Sequence, residues 1–324
     1  MYKGIVIGCG RIGALLEADH KRPAPRTHAS AVVANPKTSL AAFVDTNSEN
    51  LEKAHALFPD AATFTDLATC LAEVKPDIAV VATGPSSHAP IIEACARSHV
   101  PMIIGEKPIA HSMDDAQRIK RAIEKSGALF ALNYQRRYFP LFADAKNRIS
   151  SGAISSIQRI ECRYDNGLFN NGGHEIDAVH YLLGERSVAA LKCFRASIST
   201  FPPDDQNING EVMTESGMRI TLKSFDHTIA PVHELHLSGE KGSLHILEYG
   251  YAVEWKDNAG NTTYSKREAV SMTAGVLQDA IDAFEGKRSP RSGTQNGIET
   301  LATLQAISVS AAQSGARVAV EYTE

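Results

Sequence analysis

Three glycines near the start of the chain constrain its fold more than any other feature. Gly8, Gly10 and Gly13 have the spacing Gly-x-Gly-x-x-Gly and directly follow an apolar run at 4–7. A β-branched run that enters such a turn predicts a buried strand, then a tight turn, then the start of a helix. Backbone N–H groups at a helix start attract anions, so the motif predicts the pyrophosphate site of a dinucleotide-binding Rossmann domain.

The following residues continue an alternation of strands and helices. Short runs that are apolar on both faces predict a parallel sheet covered by helices, which is the doubly wound α/β arrangement. The predicted strands lie at 5–7, 40–44, 78–81, 102–104 and 129–132. The predicted helices lie at 48–57, 66–73, 87–98 and 113–126.

The pattern changes after about residue 150. Short strand candidates separated by turn signals predict an α+β region, a mostly antiparallel open sheet with helices on one face. A chain of 324 residues suits two domains. We place a nucleotide-binding Rossmann domain at 1–133 and a substrate-binding and oligomerisation domain at 134–324, and we expect the final helix and strand at 295–324 to lie near their junction.

Composition excludes several kinds of partner. The net charge is −4 and no basic run is present, so no nucleic-acid partner is expected. No run approaches the roughly 20 apolar residues that span a bilayer, so no membrane association is expected. The five cysteines lack disulfide or zinc spacing and are expected to be free thiols, which predicts a cytoplasmic protein.

Asp45 is the candidate for binding the adenosine ribose. It ends the second predicted strand, where an acidic residue bonds the ribose hydroxyls. Its distance from Gly13 exceeds the usual roughly 20 residues, and we attribute the excess to an inserted loop at 18–26. Thr46 and Asn47 follow, with no arginine to receive a 2′-phosphate, so NAD is expected rather than NADP. A purely structural glycine turn is the alternative.

Two further segments carry candidate catalytic groups. Lys107 follows the fifth predicted strand, at the edge of the sheet where parallel sheets bind ligands. Near the positive charge of NAD⁺, a lysine would have a lowered pKa and exchange protons with a hydroxyl; a solvated loop lysine is the alternative. His174 and Asp177 share a helix face. His174 and His180 lack the four-residue spacing of a helical zinc site, so no metal is expected.

Together these motifs resemble the Gfo/Idh/MocA family, which includes glucose–fructose oxidoreductase and inositol dehydrogenase. Glu106-Lys107-Pro108 is the most diagnostic element, and the resemblance covers nearly the whole chain. Further matching segments lie at 83–88, 133–137 and 170–180. The resemblance implies NAD-dependent hydride transfer between nicotinamide and a secondary hydroxyl of a sugar, cyclitol or nucleotide sugar.

The resemblance also implies roles for individual residues. The implied cofactor contacts are Gly8, Gly10, Arg11, Ile12, Gly13, Asp45, Thr83, His88, Glu106 and Lys107. The implied catalytic residues are Lys107 and His174, either of which would accept the proton. The candidate substrate contacts are Asn170, Asp177 and Arg137, to which we add Tyr164 on the antiparallel sheet.

Two positions depart from the family pattern. In the pattern Asp-x-Gly-x-His-x-x-Asp, Asn170 replaces the first aspartate, and a neutral amide cannot carry the charge that stabilises imidazolium. Gly84 stands where the family commonly has proline. Two alternatives stay open: a redox-neutral NAD-dependent glycosidase and a non-catalytic NAD-binding regulator. By resemblance, we also expect a homodimer or homotetramer formed through the second sheet.

Overall fold

The computed structural model describes residues 1–20, 22–198, 200, 204–229, 231–267, 270–271 and 273–322. The chain divides into two compact units, each made of two segments. The first unit comprises Met1–Gln135 and Ala269–Ile298, and the second comprises Arg136–Glu268 and Glu299–Glu324. The last two residues of the segment predicted at 295–324 lie outside the described residues.

A six-stranded parallel sheet forms the centre of the first unit. Its strands are β1 (Tyr2–Ile7), β2 (Thr38–Val44), β3 (Ala62–Phe64), β4 (Ile78–Val81), β5 (Met102–Gly105) and β6 (Leu129–Leu132). Their spatial order is β3-β2-β1-β4-β5-β6, and every neighbouring pair is parallel. The order reverses between β1 and β4, and ligands bind at the carboxyl ends of strands at such a switch point. The predicted doubly wound fold is confirmed.

Nine helices are described in the two units, and some of them have side-chain caps. In chain order they are α1 (His28–Ala34), α2 (Ser48–Leu57), α3 (Leu67–Val74), α4 (Pro85–Arg97), α5 (Met113–Ser126), α6 (Pro140–Ser150), α7 (Gly173–Leu183), α8 (Ala274–Phe284) and α9 (Thr294–Ala312). Ser112 caps α5 by accepting from the Asp115 amide, and Gly127 ends the helix in the left-handed conformation. The predicted bounds of α2 and α5 agree with the structure.

α8 belongs to the first unit, although the predicted division places it in the second domain. It packs against β5 and β6, and the Phe284 ring meets Tyr2 edge-on with centroids 5.9 Å apart. Lys37 forms an ion pair with Glu285 just beyond the helix. The local pattern of an amphipathic helix shows that it covers a sheet but not which sheet, so the sequence division could not detect this return of the chain.

A nine-stranded mixed sheet forms the centre of the second unit. Its strands are β7 (Ile157–Asp165), β8 (Ser187–Arg195), β9 (Ile208–Thr214), β10 (Arg219–Phe225), β11 (Glu234–Gly239), β12 (Gly242–Leu247), β13 (Ala252–Asp257), β14 (Thr262–Lys266) and β15 (Val318–Ala319). The order is β14-β13-β12-β11-β7-β10-β9-β8-β15, and the β7–β10 pair is parallel whereas the others are antiparallel. The predicted mostly antiparallel sheet is confirmed.

Strand β7 shows how the two faces of this sheet differ. Ile160, Cys162 and Tyr164 are fully buried on one face, and α7 contacts this strand. On the other face, Glu161 accepts hydrogen bonds from Arg163 and is paired with cations of neighbouring positions. The sheet therefore has one apolar face beneath helices and one face covered by ion pairs.

Candidate active site

The three glycines of the motif each meet a different steric requirement. Gly8 has φ +90°, and a Cβ there would lie 2.8 Å from the Ala82 backbone. A Cβ on Gly13 would overlap the carbonyl oxygen of Gly8. A Cβ on Gly10 would meet no atom of the described residues within 4 Å. The protein's own contacts therefore demand Gly8 and Gly13, whereas Gly10 borders the open space that a pyrophosphate needs beside the backbone.

The helix that follows the motif is interrupted, which partly corrects the prediction that the motif opens a helix. A short 3-10 turn at Leu15–Ala18 follows the glycines, and α1 begins only at His28. The amide of His28 donates to the carbonyl of Ile12 at 3.0 Å, and that of Ala29 donates to Gly13 at 3.0 Å. The start of α1 thus continues the hydrogen-bond ladder of the glycine turn across an inserted loop.

This insertion explains the unusual position of Asp45. His28 takes the place that residue 16 would have in an uninterrupted helix, and without the intervening loop the spacing from the last glycine returns to about 20 residues. Inside the loop, Glu17 accepts from Arg26 and from Thr27, each at 3.2 Å. The loop is therefore an internally bonded addition to the nucleotide-binding turn.

Asp45 lies directly at the glycine turn. One carboxylate oxygen accepts from the Cys9 amide at 2.8 Å, and the other accepts from the Asn47 amide at 2.9 Å. Asn47 in turn caps α2. Burial, followed by the charge of Asp45, raises the pKa of the Cys9 thiol to about 12, so Cys9 is a packing residue and not a nucleophile. The carboxylate stands beside the phosphate turn, where a ribose-binding acid is needed.

Glu106 forms a buried polar cluster at the carboxyl end of β5. Its Oε1 lies 2.8 Å from His28 Nε2 and accepts from Asn133 Nδ2 at 2.7 Å, while its Oε2 accepts from the Lys107 amide at 3.2 Å. Burial raises the pKa of Glu106, but its hydrogen bonds with His28 and Asn133 and the charge of Lys107 outweigh burial and leave the pKa lowered. A buried carboxylate therefore fixes the backbone that carries Lys107.

His28 was missed by sequence reasoning as a site residue. The inserted loop hides its relation to the glycine turn, since it stands far from Gly13 in the sequence but directly continues that turn in the structure. Glu106 also has a structural role. Its oxygens accept hydrogen bonds from groups of the protein, so the carboxylate organises this edge of the sheet. Its contact with the cofactor stays a prediction.

Two buried polar atoms at this edge have no protein partner among the described residues. They are Thr83 Oγ1, after β4, and Asn133 Oδ1, after β6. Buried polar groups are normally hydrogen-bonded, so such atoms need a ligand or water. The carboxamide of a nicotinamide offers a donor and an acceptor for them. The residues present therefore fit the nicotinamide end of a dinucleotide.

His88 does not contact a cofactor as predicted. Its side chain is fully buried, and its two ring nitrogens lie 3.0 Å from the Thr83 carbonyl oxygen and 3.1 Å from the Ile109 carbonyl oxygen. Both polar atoms of the ring are thus engaged by backbone on either side of the β5 edge. His88 supports the loop that carries Thr83, and the prediction of a direct contact is corrected.

In the second unit, Asp177 and Arg137 form a buried bidentate pair. Arg137 donates to Asp177 through Nε at 3.0 Å and through Nη2 at 2.8 Å, and its guanidinium lies 5.2 Å from the centre of the Tyr181 ring. Burial raises the pKa of Asp177, and the charge of Arg137 opposes that rise. Both predicted substrate contacts therefore bind each other in this structure, and neither carries an uncompensated charge.

A second buried ion cluster lies next to His174 in sequence. Glu175 is 3.0 Å from Arg136 and 3.0 Å from His233, and Asp165 accepts from Asn171 at 2.8 Å. The helix α7 therefore begins in a charged, buried environment. His174 is itself in the first turn of α7 and is 8% exposed.

His180, farther along α7, is a structural residue. Its Nε2 lies 2.8 Å from the Ser187 hydroxyl, and burial, followed by the charge of Arg137, lowers the pKa of the imidazole to about 3.

Among the described residues, no group of three or more potential His, Cys, Asp or Glu ligands could hold a metal ion. The described residues also contain no helix that is long and apolar enough to cross a membrane.

Tyr164 is not a substrate contact, which corrects that prediction. It is fully buried, and its hydroxyl donates to the Ile208 carbonyl at 2.6 Å and accepts from the Ile208 amide at 2.9 Å. Asn170 lies in the π-helical turn Leu168–Gly172, and its side-chain amide donates to the Asn166 carbonyl at 3.2 Å. Tyr164 therefore joins β7 to β9, while Asn170 is half-buried in the turn before His174.

Comparison with known proteins shows that the chain is similar to NAD-binding oxidoreductases. Residues 3–134 match the Gfo/Idh/MocA model, described as an oxidoreductase family with an NAD-binding Rossmann fold. Inositol 2-dehydrogenase 4 of Saccharopolyspora erythraea is 27% identical over 232 residues, which cover 67% of this chain and 66% of that protein, just under two thirds of its length. D-apiose dehydrogenase of Paraburkholderia graminis is 22% identical over 347 residues, covering 96% and 88% respectively.

The likeness extends to the fold of the whole chain. The WlbA dehydrogenase of Bordetella pertussis, solved with NADH and UDP-GlcNAcA, superimposes with a TM-score of 0.82 at 20% identity, covering 99% of this chain and 98% of that one. A likeness at this identity concerns the fold alone, whereas the family match concerns the sequence motifs as well. Residues 3–134 therefore match the NAD-binding domain of the Gfo/Idh/MocA oxidoreductases, and the relatives named above that the chain resembles are dehydrogenases.

Proposed function

We propose that the protein is an NAD-dependent dehydrogenase or reductase that acts on a secondary hydroxyl of a sugar, cyclitol or nucleotide sugar. The observation that carries the proposal is the edge of the first sheet. There, an open phosphate turn, the Asp45 carboxylate and the buried atoms of Thr83 and Asn133 match the successive parts of a dinucleotide. The named relatives act on inositol and apiose, which supports a polyhydroxylated substrate.

The choice of NAD over NADP rests on Asp45. Its carboxylate lies at the glycine turn, and the following Thr46 and Asn47 are exposed without a cation among them. A 2′-phosphate at this place would meet the negative charge of Asp45. Titration of the protein with NADH and with NADPH, followed by cofactor fluorescence, tests this choice; tighter binding of NADPH would contradict it.

The proposed chemistry divides binding and proton transfer among residues of the chain. When bound, nicotinamide accepts or supplies the hydride. Gly8, Gly10, Arg11, Ile12 and Gly13 would hold the pyrophosphate. Lys107 and His174 are the groups that hold and move the hydroxyl proton, one by polarising the oxygen and the other as general base. Glu106 holds the Lys107 backbone in place, because its carboxylate accepts a hydrogen bond from the Lys107 amide.

A screen of polyols, aldoses and nucleotide sugars with NAD⁺ tests the activity directly. A dehydrogenase produces NADH, seen as rising absorbance, for at least one member of the panel. A redox-neutral glycosidase would instead release its product without net NADH, and a regulator would bind NAD without turnover. A rise in absorbance therefore identifies a dehydrogenase, and analysis of the released product then separates a glycosidase from a regulator.

We also propose that copies of the chain associate through the ion-paired face of the second sheet. The Glu161 carboxylate is only 4% exposed there, held by Arg159, Arg163 and Lys223. Such prearranged charge pairs are suited to recognition across an interface. Light scattering coupled to size exclusion gives the mass in solution. A monomer at all concentrations and salt levels would contradict the proposal.

A further inference from the structure

The turn that precedes His174 is held by a segment far away in the sequence. The first N–H groups of a helix have no partner within the helix itself. Here the amides of residues 167, 168, 169 and 170 donate in order to Asn207 Oδ1 at 2.9 Å, the Gln206 carbonyl at 3.0 Å, Asp205 Oδ1 at 3.0 Å and Asp205 Oδ2 at 2.7 Å. Residues 205–207 thus satisfy four consecutive amides, and we name this segment the clamp.

Asp205 is the charged member of the clamp. It accepts from two neighbouring amides with both carboxylate oxygens, and charge-assisted hydrogen bonds are the strong ones. No side chain within the turn or at the start of α7 caps these amides. Gly167 has φ +99°, and a Cβ there would collide with the Asp205 carboxylate. Because residue 167 is a glycine, the turn has room for the Asp205 carboxylate, which takes the place of a capping side chain from the turn itself.

The clamp is itself anchored to the second sheet. Asn207 is fully buried. Its side-chain amide donates to the Phe225 backbone carbonyl at 3.4 Å, and its own backbone carbonyl accepts from the Ala196 amide at 2.9 Å. The next residue, Ile208, is joined to Tyr164 by two hydrogen bonds. Because the clamp is hydrogen-bonded to strands of the second sheet, it holds the turn at a fixed position relative to that sheet.

Asn170 is neutral, whereas Asp205 carries a negative charge. The side-chain amide of Asn170 donates to the Asn166 carbonyl at 3.2 Å, which a carboxylate could not do. A carboxylate at position 170 would also lie on the residue whose amide is 2.7 Å from Asp205 Oδ2. The negative charge at this helix start is therefore supplied by Asp205, from outside the turn, and a positive helix end favours it.

We propose that Asp205 is a positioning residue, whose carboxylate fixes the turn at 167–172 and thereby the placement of His174 at the start of α7. The proposal rests on the proposed function in one respect, since His174 is the proton-exchanging group there. Its structural part is independent of any reaction. Loss of the carboxylate releases two amides and lets the start of α7 move.

The experiment compares Asp205→Asn with Asp204→Asn in the full-length protein. Asp204 is exposed and adjacent, so this control removes the same charge without touching the turn. An asparagine at 205 keeps the size but offers one acceptor oxygen and opposes the other amide with an NH₂ group. Hydrogen–deuterium exchange of a peptide covering 167–172 is expected to quicken about tenfold in Asp205→Asn and to stay at the wild-type rate in Asp204→Asn.

Kinetics then tests whether the placement of His174 matters. With a substrate found in the screen, kcat of Asp205→Asn is expected to fall about 10- to 100-fold, because small misplacements of catalytic groups have effects of this size. NADH affinity is expected to be unchanged, since the phosphate turn belongs to the other unit. A merely structural role would lower thermal stability and leave kcat of the folded fraction at its wild-type value.

The possible outcomes separate the two proposals. Unchanged exchange at 167–172 in Asp205→Asn overturns the clamp, whatever the activity. Faster exchange with wild-type kcat overturns the positioning role. Absence of wild-type turnover on the whole panel overturns the proposed function, while the exchange measurement still decides whether Asp205 holds the turn. Partial recovery of kcat in Asp205→Glu, which restores a carboxylate, supports the role of the charge.

Discussion

Two helix starts in this molecule treat their backbone amides in opposite ways. At the glycine turn, Gly10 borders open space that the protein leaves unfilled. At the turn before α7, four consecutive amides are already bound by the clamp at 205–207. The first start is shaped to receive a phosphate, and the second is filled by the chain itself. A helix start is thus a ligand site only where the fold leaves its donors uncovered.

The largest effect, on NADH binding, is expected from adding a Cβ to a glycine of the phosphate turn. Gly13→Ala places a methyl group against the Gly8 carbonyl, so the turn must deform. We expect loss of NADH binding together with lower thermal stability. Gly10→Ala is the matched control, because its methyl group would meet no atom of the described residues and would enter the space proposed for the pyrophosphate. It should fold normally and bind NADH at least tenfold more weakly. Normal NADH binding by Gly10→Ala would show that the turn does not hold the phosphates.

Removal of the proposed catalytic groups comes next in size. Lys107→Ala and His174→Ala should each lower kcat by about 10² to 10⁴, the range for loss of a general acid or base. NADH affinity should remain close to wild type, because neither substitution removes a phosphate contact. Lys125→Ala, at an exposed position of α5, serves as the control for removal of a lysine. Wild-type turnover in either variant would remove that residue from the mechanism.

The Arg137–Asp177 pair should contribute to the stability of the second unit. Asp177→Ala leaves a buried guanidinium without its bidentate partner, and breaking a buried pair in this way costs about 3–5 kcal/mol. Urea unfolding measures the loss. Asp144→Ala, at an exposed ion pair of α6 with a distance of 3.6 Å, should change stability by less than about 1 kcal/mol. Equal effects of the two substitutions would contradict the burial argument.

Much of the first unit was predictable because its signals are local. The bounds of α2 follow from the Asn47 cap, and the apolar runs located five of the strands. The short strand β3 was missed, since only one of its residues is even half-buried and it has no apolar run. The pairing of His28 with Glu106 was also missed, because the insertion after the glycine turn separates the two halves of one helix in sequence.

The second unit was harder to predict because its site depends on partners distant in sequence. Nothing near Asn170 indicates that Asp205 binds its amide, and nothing near Tyr164 indicates that Ile208 occupies its hydroxyl. Asp177 was correctly placed on a helix face with His174, but its charge is taken by Arg137. Periodicity identifies faces and strands, whereas the satisfaction of buried polar groups requires the register of the whole sheet.

A smaller effect, with a definite pH dependence, is expected at Glu106. Its pKa is lowered on folding, so its ionised form stabilises the protein above about pH 4.5, and this contribution is lost as the pH falls through the folded pKa. Glu106→Gln should therefore destabilise the protein at pH 7, by about 1–3 kcal/mol, and the difference from wild type should shrink below pH 4.5. Urea unfolding across this pH range, with exposed Glu52→Gln as control, measures it. A difference independent of pH would contradict the lowered pKa.

The smallest expected effect concerns the coupling between the turn and the clamp. Asn170→Asp replaces an amide that donates to Asn166 with a carboxylate close to Asp205, so like charges and a lost hydrogen bond should destabilise α7 by about 1 kcal/mol. In the Asp205→Asn background the repulsion is absent, and the same substitution should cost less. A double-mutant cycle of unfolding free energies measures this difference. Additive effects would mean that the charge at position 205 does not act on position 170, and the second helix start would then owe its shape to sterics alone.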